Sequence, residues 1–168
     1  NRKLTEVPDG VYKLINLQDL NLAGNKLTDL PMNLVGLELL SLNVSYNKLS
    51  KVPEVVSRMT TLTSLDMSAN EIPYLPSQFS HLTRIEKLYM NNNRINELPA
   101  FISNMKGLTE LYLYGNLIPS VPESISKLSR LTEIGLGGNL LETLPGSMNE
   151  LQELRYLAIS YNHITELP

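Results

Sequence analysis

Three groups of residues have types that could support catalysis. Glu110 and Glu133 are carboxylates 23 positions apart, and two carboxylates that lie close together can carry out acid–base chemistry. His81 and His163 could contribute to a metal site or a proton relay. The run GLGG at 135–138 resembles the beginning of a phosphate-binding loop. What each group can do depends on the elements that position it.

A repeat of about 23 residues runs along the chain and defines those elements. An asparagine recurs at spacings of 22 or 23 residues, an aliphatic residue follows two positions later, and a leucine or valine followed by proline closes each unit. The asparagines are Asn25, Asn47, Asn70, Asn93, Asn116, Asn139 and Asn162. Seven occurrences in phase indicate a solenoid of stacked units.

Each unit has the pattern of a strand followed by a helical return. Ahead of the asparagine, apolar and variable residues alternate as L-x-L, which is typical of a strand buried on one side. Because every unit runs in the same direction, successive strands must pair in parallel, about 4.8 Å apart. Beyond the proline the apolar spacing changes to about three, as in Phe79, Leu82 and Ile85, which predicts short helical or 3₁₀ turns. The bulkier helical side predicts a curved solenoid with the sheet on its concave face.

The recurring asparagine is predicted to be structural. Its amide can donate to and accept from backbone groups that the strand ladder does not reach. Losing one would leave buried backbone groups unpaired, at about 1–3 kcal/mol each. We therefore interpret the seven asparagines as a ladder and not as ligand-binding residues. One unit is a residue short between Leu37 and Leu42, where we expect a tightened turn.

The unit, L-x-x-L-x-L-x-x-N-x-L/I-x-x-L/V-P, resembles the leucine-rich repeat family over the whole chain. Its period and its closing L-P are most similar to the intracellular Ras-suppressor-like and Scribble-like branch. The resemblance implies an α/β-repeat horseshoe that acts as a protein-binding scaffold or adaptor in signal transduction, with a small GTPase or a phosphatase subunit as the implied partner. Two alternatives stay open: a regulatory or targeting segment of a larger kinase, phosphatase or cyclase, and a ligand sensor in defence signalling.

The repeat leaves the three candidate catalytic groups without a site. The run at 135–138 lacks a third glycine and lies in a repeat strand with no helix behind it. His81 falls on the helical return and His163 after the last ladder asparagine, far apart in the coil. Glu110 and Glu133 would be about 5 Å apart on neighbouring strands, but an open sheet gives them no desolvated pocket. We therefore expect a solvated charged face, no catalytic site, no cofactor and no metal.

Composition excludes further classes of function. The net charge of −3 and the pI near 5.4 offer no basic surface for a phosphate backbone, so nucleic acid is not an expected partner. No apolar stretch approaches the length of a membrane span. The absence of cysteine favours a reducing compartment, and the expected location is the cytoplasm.

Function is then expected at the variable positions two, four and six residues before each asparagine, which face outward from the sheet. Small polar groups occupy these positions in the first three units, whereas tyrosines gather in the middle. Tyrosine brings a large stiff apolar face with one hydroxyl, and interface hot spots are enriched in it. The candidate partner-binding residues are Asp66, Lys87, Tyr89, Asn91, Glu110, Tyr112, Tyr114, Glu133 and Tyr156.

A structural alternative applies to the same tyrosines. Gly135 and Gly137 weaken the strand beside them, and Tyr112 and Tyr114 could simply cover that bare backbone. Tyr46 and Tyr161, which directly precede their asparagines, are expected to pack on the rim.

The chain is expected to form a single domain over 1–168, with about seven repeats and both ends inside a repeat. At the start, Arg2 takes the asparagine position of a partial unit, and at the end the chain stops at the closing L-P. Since a solenoid needs polar terminal units, we expect either an excerpt from a longer protein or self-association through an end.

Overall fold

The computed structural model describes residues 3–167, so Arg2 and its predicted asparagine position lie outside the described part, as does Pro168. Each repeat contributes one short strand and one 3₁₀ helix. The strands are β1 (Asp19–Asn21), β2 (Ser41–Asn43), β3 (Ser64–Asp66), β4 (Lys87–Tyr89), β5 (Glu110–Tyr112), β6 (Glu133–Gly135) and β7 (Tyr156–Ala158). The helices are η1 (Asp9–Lys13), η2 (Met32–Leu37), η3 (Glu54–Arg58), η4 (Ser77–His81), η5 (Ala100–Asn104), η6 (Glu123–Lys127) and η7 (Gly146–Glu150).

The seven strands form one open parallel sheet in the order of the sequence. Neighbouring strands pair with a shift of one repeat, so that equivalent positions lie side by side, as Leu65 does with Leu88 and Leu88 with Leu111. These central leucines are fully buried, while the residues on either side face outward. The predicted solenoid with a parallel sheet on one side and 3₁₀ turns on the other is confirmed.

The helical side follows from the proline that closes each repeat. Proline fixes the backbone angle and precedes every one of the seven helices, with a φ between −58° and −76°. The short repeat is accommodated at Glu38, directly after η2, whose φ of 49° places it in the left-handed region. The expected tightened turn therefore consists of one residue with an unfavourable backbone conformation.

The asparagine ladder ties each repeat to the one before it. Asn93 Oδ1 accepts a hydrogen bond from the Ile72 N–H at 3.0 Å, and its Nδ2 donates to the carbonyls of Met67 at 3.0 Å and Met90 at 3.2 Å. All seven asparagines accept an equivalent bond from the preceding repeat. The predicted ladder is confirmed, and its amides satisfy backbone groups on both sides of every junction it spans.

The residue before each ladder asparagine adopts a left-handed conformation. Its φ lies between 53° and 71° in all seven repeats, at Gly24, Tyr46, Ala69, Asn92, Gly115, Gly138 and Tyr161. The turn that aims the asparagine inward requires this geometry, which glycine adopts without strain. The expected rim packing of Tyr46 and Tyr161 is wrong, because these residues are 67% and 90% exposed. The left-handed turn points them into solvent.

Between residues 3 and 167, no helix has the length and apolar character that crossing a membrane would require.

Candidate functional site

The outward surface of the sheet consists of three columns, formed by the residues six, four and two positions before each ladder asparagine. We call this surface the sheet face. All nine predicted binding residues lie on it. The column at minus six contains Lys87, Glu110, Glu133 and Tyr156 in register on β4 to β7, the column at minus four contains Asp66, Tyr89 and Tyr112, and the column at minus two contains Asn91 and Tyr114.

Four tyrosines in the β4 to β7 half of the sheet face form a connected cluster. The rings of Tyr89 and Tyr112 stack with centroids 5.4 Å apart, and those of Tyr112 and Tyr114 stack at 5.7 Å. Tyr156 lies against Tyr112 at 6.4 Å, and its hydroxyl is 3.0 Å from that of Tyr114. We call Tyr89, Tyr112, Tyr114 and Tyr156 the tyrosine cluster. Because the rings hold one another, little side-chain freedom is left to lose on binding.

The two glutamates of the site each accept a hydrogen bond from a tyrosine. Tyr89 donates its phenol to Glu110, and Tyr112 donates its phenol to Glu133. Glu110 also pairs with Lys87, Nζ to Oε1, at 2.7 Å. The carboxylates were expected to form a merely solvated face; instead both are partly buried and engaged by neighbouring side chains. A tyrosine followed 21 positions later by a glutamate occurs in both pairs, and this spacing is the sequence signal of the arrangement.

These contacts shift the pKa values of Tyr89, Tyr112 and Glu110. Burial and the hydrogen bond to Glu110 raise the pKa of Tyr89, and the hydrogen bond to Glu133 together with burial raises the pKa of Tyr112 to about 12. Burial alone would raise the pKa of Glu110, but the hydrogen bonds from Lys87 and Tyr89 outweigh it and hold that pKa below its usual value. Glu110 is therefore firmly ionised at neutral pH, and the phenols are neutral donors.

Tyr112 and Tyr114 also cover bare glycine backbone, as the structural alternative predicts. A Cβ at Gly135 would lie 2.3 Å from Tyr114 Cε2 and 2.7 Å from Tyr112 Cδ1, so both rings rest on this glycine. Gly137 has Tyr114 Cδ1 as a near neighbour as well. Tyr89 belongs to the preceding strand and packs on the Tyr112 ring. Covering bare backbone therefore accounts for two of the rings, and the cluster extends beyond them.

The two remaining predicted binding residues, Asp66 and Asn91, accept hydrogen bonds from backbone N–H groups. Asp66 Oδ1 accepts from the Ser68 N–H at 2.9 Å, and Asn91 Oδ1 accepts from the Tyr114 N–H at 2.8 Å. The other seven form a single network of contacts. Asn91 is thus hydrogen-bonded to the backbone of a cluster residue, whereas Asp66 is hydrogen-bonded within its own repeat.

The remaining candidates for chemistry are dispersed. His81 is the exposed last residue of η4, and His163 is exposed after the last ladder asparagine. Gly135 ends β6 and is buried under the tyrosine rings, and no helix follows directly behind it. In the described part of the chain, no three His, Asp or Glu side chains gather to hold a metal ion.

Models of the leucine-rich repeat family match most of the chain. The matches are to "Leucine Rich Repeat" at 16–37, "Leucine rich repeat" at 38–95 and "Leucine Rich repeats (2 copies)" at 83–129. A search of curated proteins gives no match.

Solved structures resemble almost the whole chain. A leucine-rich repeat protein of Leptospira interrogans is 31% identical with a TM-score of 0.96, over 99% of this chain and 43% of that protein. An internalin of Listeria monocytogenes is 26% identical with a TM-score of 0.82, over 96% of this chain and 46% of the internalin. The ectodomain of the Arabidopsis thaliana receptor kinase GASSHO1/SCHENGEN3, solved in complex with CASPARIAN STRIP INTEGRITY FACTOR 2, is 28% identical with a TM-score of 0.75, over 96% and 23% of the two chains. The chain thus spans less than half the length of these proteins.

Proposed function

Because the chain belongs to the leucine-rich repeat family, we propose that it is a protein-binding module that docks a folded partner on the sheet face. The observation that carries this proposal is the tyrosine cluster. Four interlocked rings present a preorganised aromatic surface with polar hydroxyls and carboxylates beside it, which is the composition of an interface hot spot.

The size of the sheet face fits such a partner. Seven strands at about 4.8 Å spacing span roughly 30 Å, enough for an interface of about 800 Å² on each side. The cluster occupies the β4 to β7 half of the sheet face, and the smaller polar residues of β1 to β3 continue the same surface beside it. The plant receptor ectodomain of the same fold, solved with a bound partner, supports binding as the role of this architecture.

The finer identity of the partner comes from the repeat type. On the resemblance of the L-P repeat to the Ras-suppressor-like and Scribble-like branch, we propose a scaffold in cytoplasmic signalling, with a small GTPase or a phosphatase subunit as partner. The absence of cysteine supports this location.

Replacing Tyr89, Tyr112 and Tyr114 together by alanine tests the docking surface. We expect the variant to lose the proteins that the wild-type chain captures from cell lysate, with affinities about a hundredfold or more lower, since each central hot-spot residue contributes about 2 kcal/mol or more. The rings lie outside the leucine core, so the thermal transition should fall only slightly. Quantitative mass spectrometry of the captured proteins measures the effect.

The matched control replaces three exposed tyrosines away from the sheet face, Tyr46, Tyr74 and Tyr161, by alanine. It removes the same number of phenols and should retain every captured protein. Equal capture by the cluster variant and this control would place the binding surface on the rims or the helical side.

A further inference from the structure

Only one of the four carboxylates of the sheet face, Glu110, makes an ion pair within residues 3–167, and Glu133 is the unpaired carboxylate that contacts the tyrosine cluster. The column at minus six runs Lys87, Glu110, Glu133 and Tyr156 across neighbouring strands. Lys87 neutralises Glu110. Glu133 accepts the phenol of Tyr112, but within residues 3–167 it makes no ion pair. Its carboxylate is partly exposed and can accept one more charged donor.

The aromatic neighbour of Glu133 suits a planar cation. Tyr156 is its register partner on β7, and this residue is 47% exposed. A guanidinium can pair with a carboxylate through two N–H groups while it stacks on an adjacent ring. An ammonium is a compact point charge without a planar face, so it would gain less from the same surroundings.

The net charge of the chain is concentrated on this surface. The sheet face carries four carboxylates, Asp19, Asp66, Glu110 and Glu133, and one ammonium, Lys87. This excess of three negative charges equals the net charge of the whole chain, which has 17 acidic and 14 basic residues. The remainder of the molecule is balanced at thirteen of each sign. A basic partner is therefore attracted to the sheet face specifically.

We propose that the docking partner presents an arginine-bearing segment, one arginine of which binds Glu133 against the ring of Tyr156. The proposal rests on the sheet face being the docking surface and adds the chemistry of what docks there. The structure favours arginine over lysine because Glu133 has an exposed aromatic ring as its register neighbour.

The test uses a glycine–serine peptide with spaced arginines, compared with the same peptide carrying lysines or glutamates. Binding is followed by the amide resonances of the isotopically labelled chain. We expect the arginine peptide to bind most tightly, to shift the resonances of β6 and β7, and to bind about tenfold more weakly to the Glu133→Gln variant. Glutamine retains an oxygen for the Tyr112 phenol, so the fold should be preserved.

Two further variants sharpen the result. Glu150→Gln removes the same charge from the exposed end of η7, outside the sheet face, and should leave the affinity unchanged. Lys87→Gln releases Glu110 from its ion pair and should tighten binding of the arginine peptide.

Equal loss of affinity in Glu133→Gln and Glu150→Gln, equal binding of the arginine and glutamate peptides, or binding of neither would overturn the proposal. The lysate experiment on the tyrosine cluster decides the docking surface independently. If the cluster variant loses capture while arginine shows no preference for Glu133, the arginine proposal alone fails.

Discussion

At the scale of single residues, the sheet face combines stacked phenols with carboxylates that hold them in place. Tyr89 and Tyr112 each donate to a glutamate one strand further along, and the rings of Tyr112 and Tyr114 also cover Gly135. The sequence predicts which residues share the surface, because alternation along a strand fixes the outward positions. It does not predict the bonds between them, since these depend on side-chain rotamers that neighbouring strands select together.

The ionisation of Tyr112 tests this arrangement. Its pKa is raised to about 12, mainly by the hydrogen bond to Glu133, from an ordinary value of 10.0. Because the folded pKa is the higher one, the neutral phenol contributes stability in full below pH 10.0, and that contribution is lost as the pH rises towards about 12. In Glu133→Gln we expect the pKa of Tyr112 to fall towards 10.0.

The measurement is the ultraviolet absorbance of tyrosinate during an alkaline titration. Glu150→Gln, at the exposed end of η7 and outside the sheet face, should titrate like the wild type. An unchanged titration curve in Glu133→Gln would contradict the phenol–carboxylate bond.

At the scale of the elements, the repeat pattern predicts the strands and the helical returns but misses one backbone feature. The position before each asparagine is left-handed in all seven repeats, although it is occupied by glycine, alanine, asparagine or tyrosine. No shared side chain marks it, so the repeat pattern alone does not reveal the left-handed conformation. The ladder itself was predictable, since its amide chemistry requires one residue type.

The left-handed position before the asparagine predicts two substitutions with opposite effects on the free energy of unfolding. Tyr46→Gly should stabilise the fold by up to about 1 kcal/mol, because glycine removes the left-handed strain and the exposed tyrosine contributes little packing. Gly24→Ala should destabilise it by about 1 kcal/mol through backbone strain alone, since no atom lies within 4 Å of the new Cβ. Urea unfolding measures both.

Tyr74→Gly is the control for the first substitution, because Tyr74 is also exposed but has no positive φ. It should destabilise the chain. A loss of stability in Tyr46→Gly equal to that in Tyr74→Gly would show that the left-handed turn carries no strain.

At the scale of the whole molecule, the fold is built mainly from contacts between adjacent repeats. In the described residues, the backbone of each strand or helix lies close only to that of its neighbours, and the Tyr156 side chain in addition reaches Tyr112 and Tyr114 two repeats away. Each ladder asparagine crosses one such junction, as Asn93 does to Ile72 and Met67. Cooperative unfolding of a solenoid depends on these junctions, because the backbone contacts of each described element are confined to adjacent repeats.

Breaking one central junction should therefore affect the whole chain. Asn93→Ala leaves buried backbone groups unpaired at about 1–3 kcal/mol each, and it should broaden the unfolding transition by uncoupling the repeats on either side. Circular dichroism during urea unfolding measures both the midpoint and the slope. Asn96→Ala, at an exposed position in the same repeat, should change neither. A sharp transition at the wild-type midpoint in Asn93→Ala would mean that the ladder does not couple the repeats.

The tyrosine cluster has an optical consequence. The chain contains no tryptophan, and four of its eight tyrosines belong to the cluster. Stacked chromophores in a fixed chiral arrangement couple their electronic transitions, so the near-ultraviolet dichroism of this molecule arises largely from the proposed docking surface. Binding of a partner to this surface should therefore change the near-ultraviolet dichroism of the chain, without any attached label.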